Sequence, residues 1–304
     1  MQKTWVVSSL AVFCCILWGS AFPSIKVGYR LFQVDASDTA AQILFAGCRF
    51  TLAGVLVILF GSVLQGRFLK PSVAELPKIG KICLLQTVLQ YFFFYVGLAH
   101  TTGVKGSIVE ASNVFLAILF SSLVFRMEKL DGRKLVGCIV GFAGVVLINL
   151  SGGSVDMRFN FLGDGFIFLS AMAYAMSSVL IKKYSQDSDP VMLSGYQFTA
   201  GGLVMIVGAL LLGGRLTVFR VSGGFLLLYM ALISAVAYTL WGILLKYNPV
   251  SKVSIFGFTN PVFGVILSAL ILGEGSAFGV QGAVALALVC VGILIVNRQA
   301  PEGR

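Results

Sequence analysis

The sequence predicts an all-α polytopic membrane protein with ten transmembrane helices, arranged as two five-helix repeats of inverted topology. Three observations carry this. The 304 residues are 58% hydrophobic and only 11% charged, against about a quarter charged in soluble domains. Apolar runs of membrane-spanning length, about 20 residues each, recur from end to end. The second half also repeats the first after five runs. Five is odd, so the two halves must enter the membrane from opposite sides.

The runs fall at roughly 5–28, 41–64, 79–99, 104–125, 132–150, 162–181, 191–213, 223–245, 250–272 and 278–297. Polar punctuation separates most of them: Arg67 to Lys78, Arg126 to Lys134, Ser185 to Pro190. Where separation is weakest, the breaks rest on His100, Lys246, Asn248, Pro249 and Glu274. The runs are continuous rather than alternating ten-residue segments, which excludes a β-barrel. The connections are too short for a soluble domain. Residues 1–150 form the first repeat, 151–161 a linker, 162–297 the second repeat, and 298–304 a cytoplasmic tail. The first run is too long for a signal-peptide core and lacks a small-residue cleavage site, so it is expected to remain as a span.

The formal net charge of +10 is a topology signal. With the N-terminus inside, the cytoplasmic segments carry 15 Lys and Arg and the outer ends six, namely Lys26, Arg30, Lys105, Arg158, Arg215 and Arg220. That bias places both termini in the cytoplasm. No basic groove with interleaved aromatics suggests nucleic acid. The six cysteines all fall within apolar runs, without metal-ligand spacing.

The repeat is visible at a shift of 147. Tyr91 falls on Tyr238, Phe94 on Trp241, Lys105 on Lys252, Ser107 on Ser254, Asn113 on Asn260 and Ser121 on Ser268. Glu128 matches Glu274 at 146, and Trp18 to Lys26 lies over Tyr174 to Lys182 at 156. Two similar inverted halves can exchange conformations, with substrate held near the midplane between them.

Charge inside a span normally faces a cavity or a partner. Glu110 lies about six residues into the fourth span and Arg49 about eight into the second, at similar depth from the outer end. An ion pair between them is one reading. A second has Arg49 extend its long stem to the interface. A third makes Glu110 a proton-coupling residue, present in one half only because its counterpart is Gly257. Lys26 and Lys105 sit near outer ends, where Lys26 could draw an anionic group to the outer mouth. Polar and aromatic stripes on several spans place Trp18, Tyr91, Glu110, Asn113, Tyr174, Tyr238, Trp241 and Asn260 as substrate-binding candidates, the alternative being polar glue between helices. Gly137, Gly141 and Gly144 read as a packing face, as do Gly279, Gly282 and Gly292. Pro23 and Pro261 are kinks or hinges.

Enzyme signatures are absent: one histidine, and no nucleotide-binding, H-E-x-x-H or G-x-S-x-G motif. No catalytic residue, metal or cofactor is expected. Leu17 to Phe22 leading to Lys26, Cys48-Arg49-Phe50, the block from Asn113 through Glu128 to Gly144-Val145, and Asn260 to Phe263 through Leu272-Gly273-Glu274 to Gly292 together resemble the EamA-type drug/metabolite transporters. In that family a proline usually stands where this chain has Val114 or Phe115. The resemblance implies ten helices in two inverted repeats, in a bacterial inner (plasma) membrane, and efflux or exchange of small metabolites such as amino acids, nucleosides or drugs. The expectation is therefore a secondary active transporter working by alternating access. It would be surrounded by membrane lipids and act as a monomer or homodimer on a small-molecule substrate. A passive uniporter or channel is the alternative, and a membrane-embedded lipid enzyme a third.

Overall fold

The computed structural model describes residues 3–35, 37–101, 103–150, 159–217, 220–272 and 280–297. Most of the linker, the tail and Glu274 lie outside the described residues. Among the described residues every regular element is helical. In order they are α1 (Thr4–Phe32), α2 (Thr39–Leu64), α3 (Val73–Leu98), α4 (Gly103–Glu110), α5 (Asn113–Leu119), α6 (Gly132–Leu150), α7 (Phe161–Tyr184), α8 (Pro190–Leu211), α9 (Val221–Tyr247), α10 (Val250–Ser254), α11 (Thr259–Leu272) and α12 (Val280–Asn297).

Six of these, α1, α2, α3, α7, α8 and α9, are long and apolar enough to cross a membrane, at 22 to 29 residues. Even 22 residues span about 33 Å at 1.5 Å each. Their outward faces are apolar too. Val63, Leu64 and Leu211 are each more than three-quarters exposed, a surface suited to lipid rather than water. Side chains cap the helix starts as the sequence allows. Asp38 accepts from Ala41 N at 2.8 Å to begin α2. Asp189 accepts from Val191 N at 2.8 Å ahead of Pro190, the first residue of α8, a position where the missing N–H costs nothing.

Two runs that read as single helices are interrupted. The fourth is broken at Ala111–Ser112, between α4 and α5. The ninth tightens into a 3₁₀ turn at Ile255–Phe258, between α10 and α11. At the repeat shift of 147 these are equivalent places.

Close backbone contacts relate the two halves. A Cβ at Gly54 of α2 would lie 2.4 Å from Thr199 N and 2.6 Å from Gly195 O of α8. One at Gly202 of α8 would lie 2.4 Å from Thr51 N and 2.8 Å from Gly47 O of α2. Residues 47, 51 and 54 correspond to 195, 199 and 202 at a shift of 148. The α2–α8 crossing therefore maps onto itself under a pseudo-twofold axis. Gly47 meets Gly202 and Gly54 meets Gly195, so these equivalent helices run antiparallel. The α6–α12 crossing behaves alike: Cβ positions at Gly137 and Gly144 would lie 2.8 Å from Gly292 O and 2.7 Å from Ala285 O, and 137 and 144 correspond to 285 and 292. Small residues permit such approach without a gap.

Gly54→Ala and Gly202→Ala should each destabilise the protein by about 1–3 kcal/mol, since an added methyl meets backbone that cannot yield. Gly208→Ala, on the same α8 but with nothing within 4 Å of its Cβ position, should be neutral or slightly stabilising. Thermal unfolding of the purified variants in one detergent checks both.

Candidate transport site at the pseudo-twofold axis

The interrupted helices begin the site. In the second half Pro261 has no N–H to offer the Gly257 carbonyl four residues back, and the chain tightens there. The first half has Val114 at the equivalent position, yet it turns as well. Ser112 N donates to Val109 O at 3.0 Å and Val114 N to Ala111 O at 3.3 Å. The Glu110 carbonyl accepts instead from Asn113 Nδ2 at 2.7 Å. A side-chain amide thus does locally what proline does in the other half. The turns pack on each other: a Cβ at Gly257 would lie 3.1 Å from Val114 Cγ2, and the Phe115 and Phe258 rings are 5.9 Å apart.

Beside them lies an aromatic centre. Tyr91 and Tyr238 join hydroxyl to hydroxyl at 3.0 Å. Their sequence separation equals the repeat shift, so the pair straddles the axis. Phe50 and Phe198, equivalent at 148, stack at 5.3 Å and 9°. Phe50 lies 4.5 Å from Tyr91, and Phe198 4.8 Å from Tyr238. Trp18 of α1 packs edge-on against Tyr238 and Trp241, each at 5.0 Å. Tyr174 lies within electrostatic reach of Tyr91 and Tyr238, and Glu110 within reach of Tyr238. The structure thus gathers Trp18, Tyr91, Tyr174, Tyr238 and Trp241, with Glu110, Asn113 and Asn260 on the adjoining turns. Phe50 and Phe198 were missed as site residues, although the 148 shift pairs them.

Several buried polar atoms here have no partner: Trp18 Nε1, Trp241 Nε1, Asn260 Oδ1, Glu110 Oε2 and Ser170 Oγ. Ser170 lies beside the Glu110 carboxyl. Unsatisfied buried polar groups are uncommon and costly, and five around one centre suit a site that completes its hydrogen bonds with a ligand. Clefts of about 980 Å³, with Lys3 and Lys246 among its walls, and about 470 Å³, with Lys26 and Tyr29, lie at opposite ends of α1. Trp18 stands midway along that helix.

Arg49 departs from two sequence expectations. It forms no ion pair with Glu110, and it does not reach outward: it is 4% exposed. Its Nε donates to Ser234 Oγ at 2.9 Å, and its guanidinium lies 5.0 Å over the Phe50 ring. Gln197 occupies the equivalent place in the other half. It accepts from Thr87 Oγ1 at 2.7 Å and donates to Gln86 Oε1 at 3.0 Å.

At one end of the bundle Glu128 ties the halves together. It accepts from Ser121 Oγ at 2.7 Å, Lys134 Nζ at 2.7 Å, Ser251 N at 3.0 Å and Ser251 Oγ. Burial works against its ionisation, but the bonds from Lys134, Ser251 and Ser121 outweigh burial and hold the carboxyl below its ordinary range.

Two predictions follow from this geometry. A folded-state value below the unfolded one, about 4.3, contributes stability that is present above that value and lost as pH falls through the folded one. Glu128→Gln should therefore cost about 1.5–3 kcal/mol at neutral pH, and the gap from wild type should close as melts are taken toward pH 3.5. Trp241→Phe removes an unpartnered donor together with the five-membered ring of a buried indole, so it should lower stability by about 1–3 kcal/mol through the vacated space and weaken ligand binding. Unchanged ligand binding by the folded variant, measured by titration beside its thermal melt, would mean that the indole N–H is not a ligand contact.

The profile of the EamA-like transporter family matches residues 5–150 and again 161–298. A WAT1-related chloroplastic protein of Arabidopsis thaliana is 26% identical over 99% of this chain and 71% of its own length. A transporter of Archaeoglobus fulgidus is 28% identical over 91% of this chain and 92% of its own. The inner membrane transporter YedA of Escherichia coli is 26% identical over 85% and 80%. One solved crystal structure superposes with a TM-score of 0.76 at 17% identity, covering 96% of this chain and 98% of that one, which establishes likeness of fold. With a double family match on a chain of apolar helices, this multi-pass membrane protein belongs to the EamA-like transporter family.

Proposed function

We propose that this protein is a secondary active transporter that exports or exchanges a small metabolite by alternating access. Its ten helical passes cross the membrane as two inverted five-helix repeats, with both termini cytoplasmic and the protein in the inner (plasma) membrane. The carrying observation is the aromatic centre on the pseudo-twofold axis, ringed by buried polar atoms without partners and flanked by equivalent helix turns. Exchange of conformation between similar halves would open such a centre to one side and then the other. The antiparallel crossings of equivalent helices support the inversion. The excess of Lys and Arg on one set of loops supports the orientation.

Coupling to protons runs through Glu110 in this reading. The carboxyl has an unpartnered oxygen, has no cation within ion-pair distance among the described residues, and sits at the turn that interrupts its helix. Its counterpart, Gly257, cannot take a proton, and one exchangeable site per cycle suffices.

Reconstituted vesicles test the whole reading. Saturable counterflow of a metabolite is expected. Flux that rises linearly with concentration and shows no counterflow would indicate a channel. Glu110→Gln should keep counterflow and lose accumulation driven by a pH gradient. Normal gradient-driven accumulation by well-folded Glu110→Gln would remove proton coupling from the mechanism.

A further inference from the structure

We infer that Arg49 is the receptor for an anionic group on the transported solute, and that the solute is an organic carboxylate with an apolar body. This rests on the transporter reading and names the chemistry of its substrate.

The first argument is charge balance. Arginine does not shed its charge in proteins, and a charge held away from water needs compensation. Arg49 is 4% exposed and has no carboxylate within ion-pair distance among the described residues. Its partners are one neutral hydroxyl, Ser234, and one ring face, Phe50. Phenols of Tyr29, Tyr91, Tyr95 and Tyr238 stand within electrostatic reach and supply dipoles only. Of the fork, Nε is engaged, and no acceptor among the described residues takes a bond from the two terminal nitrogens. Those nitrogens are the pair that grips a carboxylate through two parallel bonds.

The second argument is symmetry. In the other half the same place is filled by Gln197, whose amide is satisfied by Thr87 and Gln86. The helix contact therefore needs a polar side chain at this position and does not need a charge. The charge of Arg49 serves something the fold does not require.

The third is access. Tyr29 links Arg49 to the 470 Å³ cleft, whose walls include Lys26, Arg30 and Asp35. The carboxylate of Asp35 is taken up by Ser37 N at 2.8 Å and Ser37 Oγ at 2.6 Å. Basic groups thus mark the approach, and the buried guanidinium lies within electrostatic reach of Tyr29 in its wall. The rings of Phe50, Tyr91 and Phe198 are packed together beside Arg49 and supply the apolar surroundings that the body of a bound anion would need to displace or join.

The test measures binding and transport on the same preparations. Acetate, hexanoate and 3-phenylpropionate are titrated onto the protein in non-ionic detergent, with 3-phenylpropanamide as the neutral isostere. Affinity should rise from acetate to phenylpropionate, and the amide should bind at least about tenfold more weakly. Arg49→Gln copies the other half and should fold; it should lose the preference for carboxylate over amide. Arg49→Lys should recover part of that preference, since it restores charge without the fork. Equal binding of amide and carboxylate overturns the inference, as does an unchanged preference in Arg49→Gln. Phosphatidylglycerol is added as a competitor. If it displaces phenylpropionate and no carboxylate shows counterflow in vesicles, Arg49 serves a lipid headgroup and the solute assignment falls. Counterflow of neutral or cationic solutes without carboxylates overturns this inference and leaves the transporter reading standing. Loss of counterflow for every solute removes the transporter reading itself.

Discussion

The architecture depends on one contact, the glycine-on-glycine crossing of α2 and α8. There the backbones come so close that neither Gly54 nor Gly202 leaves room for a methyl group. Because the helices are equivalent and antiparallel, fixing this crossing fixes the axis relating the halves. Everything that pairs across that axis inherits its position: Phe50 on Phe198, Tyr91 on Tyr238, one helix turn against the other. In lipid no general hydrophobic force presses helices together, so close packing of small residues has to supply the adhesion.

The axis is symmetric in shape and asymmetric in chemistry. Arg49 corresponds to Gln197, Glu110 to Gly257, and Asn113 does beside Val114 what Pro261 does by itself. The paired apolar and aromatic positions carry the packing. Beside the axis, the charges of Arg49 and Glu110 stand at unmatched positions. A symmetric scaffold lets two conformations have similar energies, while unmatched polar residues can make those conformations respond differently to a solute or a proton.

Much of this was legible in the sequence. Helical class followed from the length and continuity of the apolar runs, and the two repeats from residues that match at a shift of 147. Tyr91 and Tyr238 were visible as equivalent, and they meet. The helix interruption beside Asn113 was not visible. It arises from a side-chain amide bonding to a carbonyl three residues back, and nothing in local composition marks that as different from an ordinary helical asparagine. The partner of Arg49 was misjudged because depth along two spans was compared without knowing which faces they turn to each other. Phe50 and Phe198 were overlooked because the repeat was aligned through the third and eighth spans, and the register between the second and seventh differs by one residue. The grip of Glu128 on Ser251 joins segments 123 residues apart, a distance over which no periodicity speaks.

The two helix turns also differ in permanence. Pro261 interrupts its helix by covalent structure: the missing hydrogen cannot return, whatever the protein does. At the turn the Glu110 carbonyl is taken by the Asn113 amide, and the backbone N–H of Val114, now bonded to Ala111 O, could exchange back to it. One half of the molecule therefore carries a bend that is always present. The other carries a bend that can be undone and remade by exchanging one donor for another. The same kind of interruption thus rests on exchangeable hydrogen bonds in the first half and on covalent structure in the second.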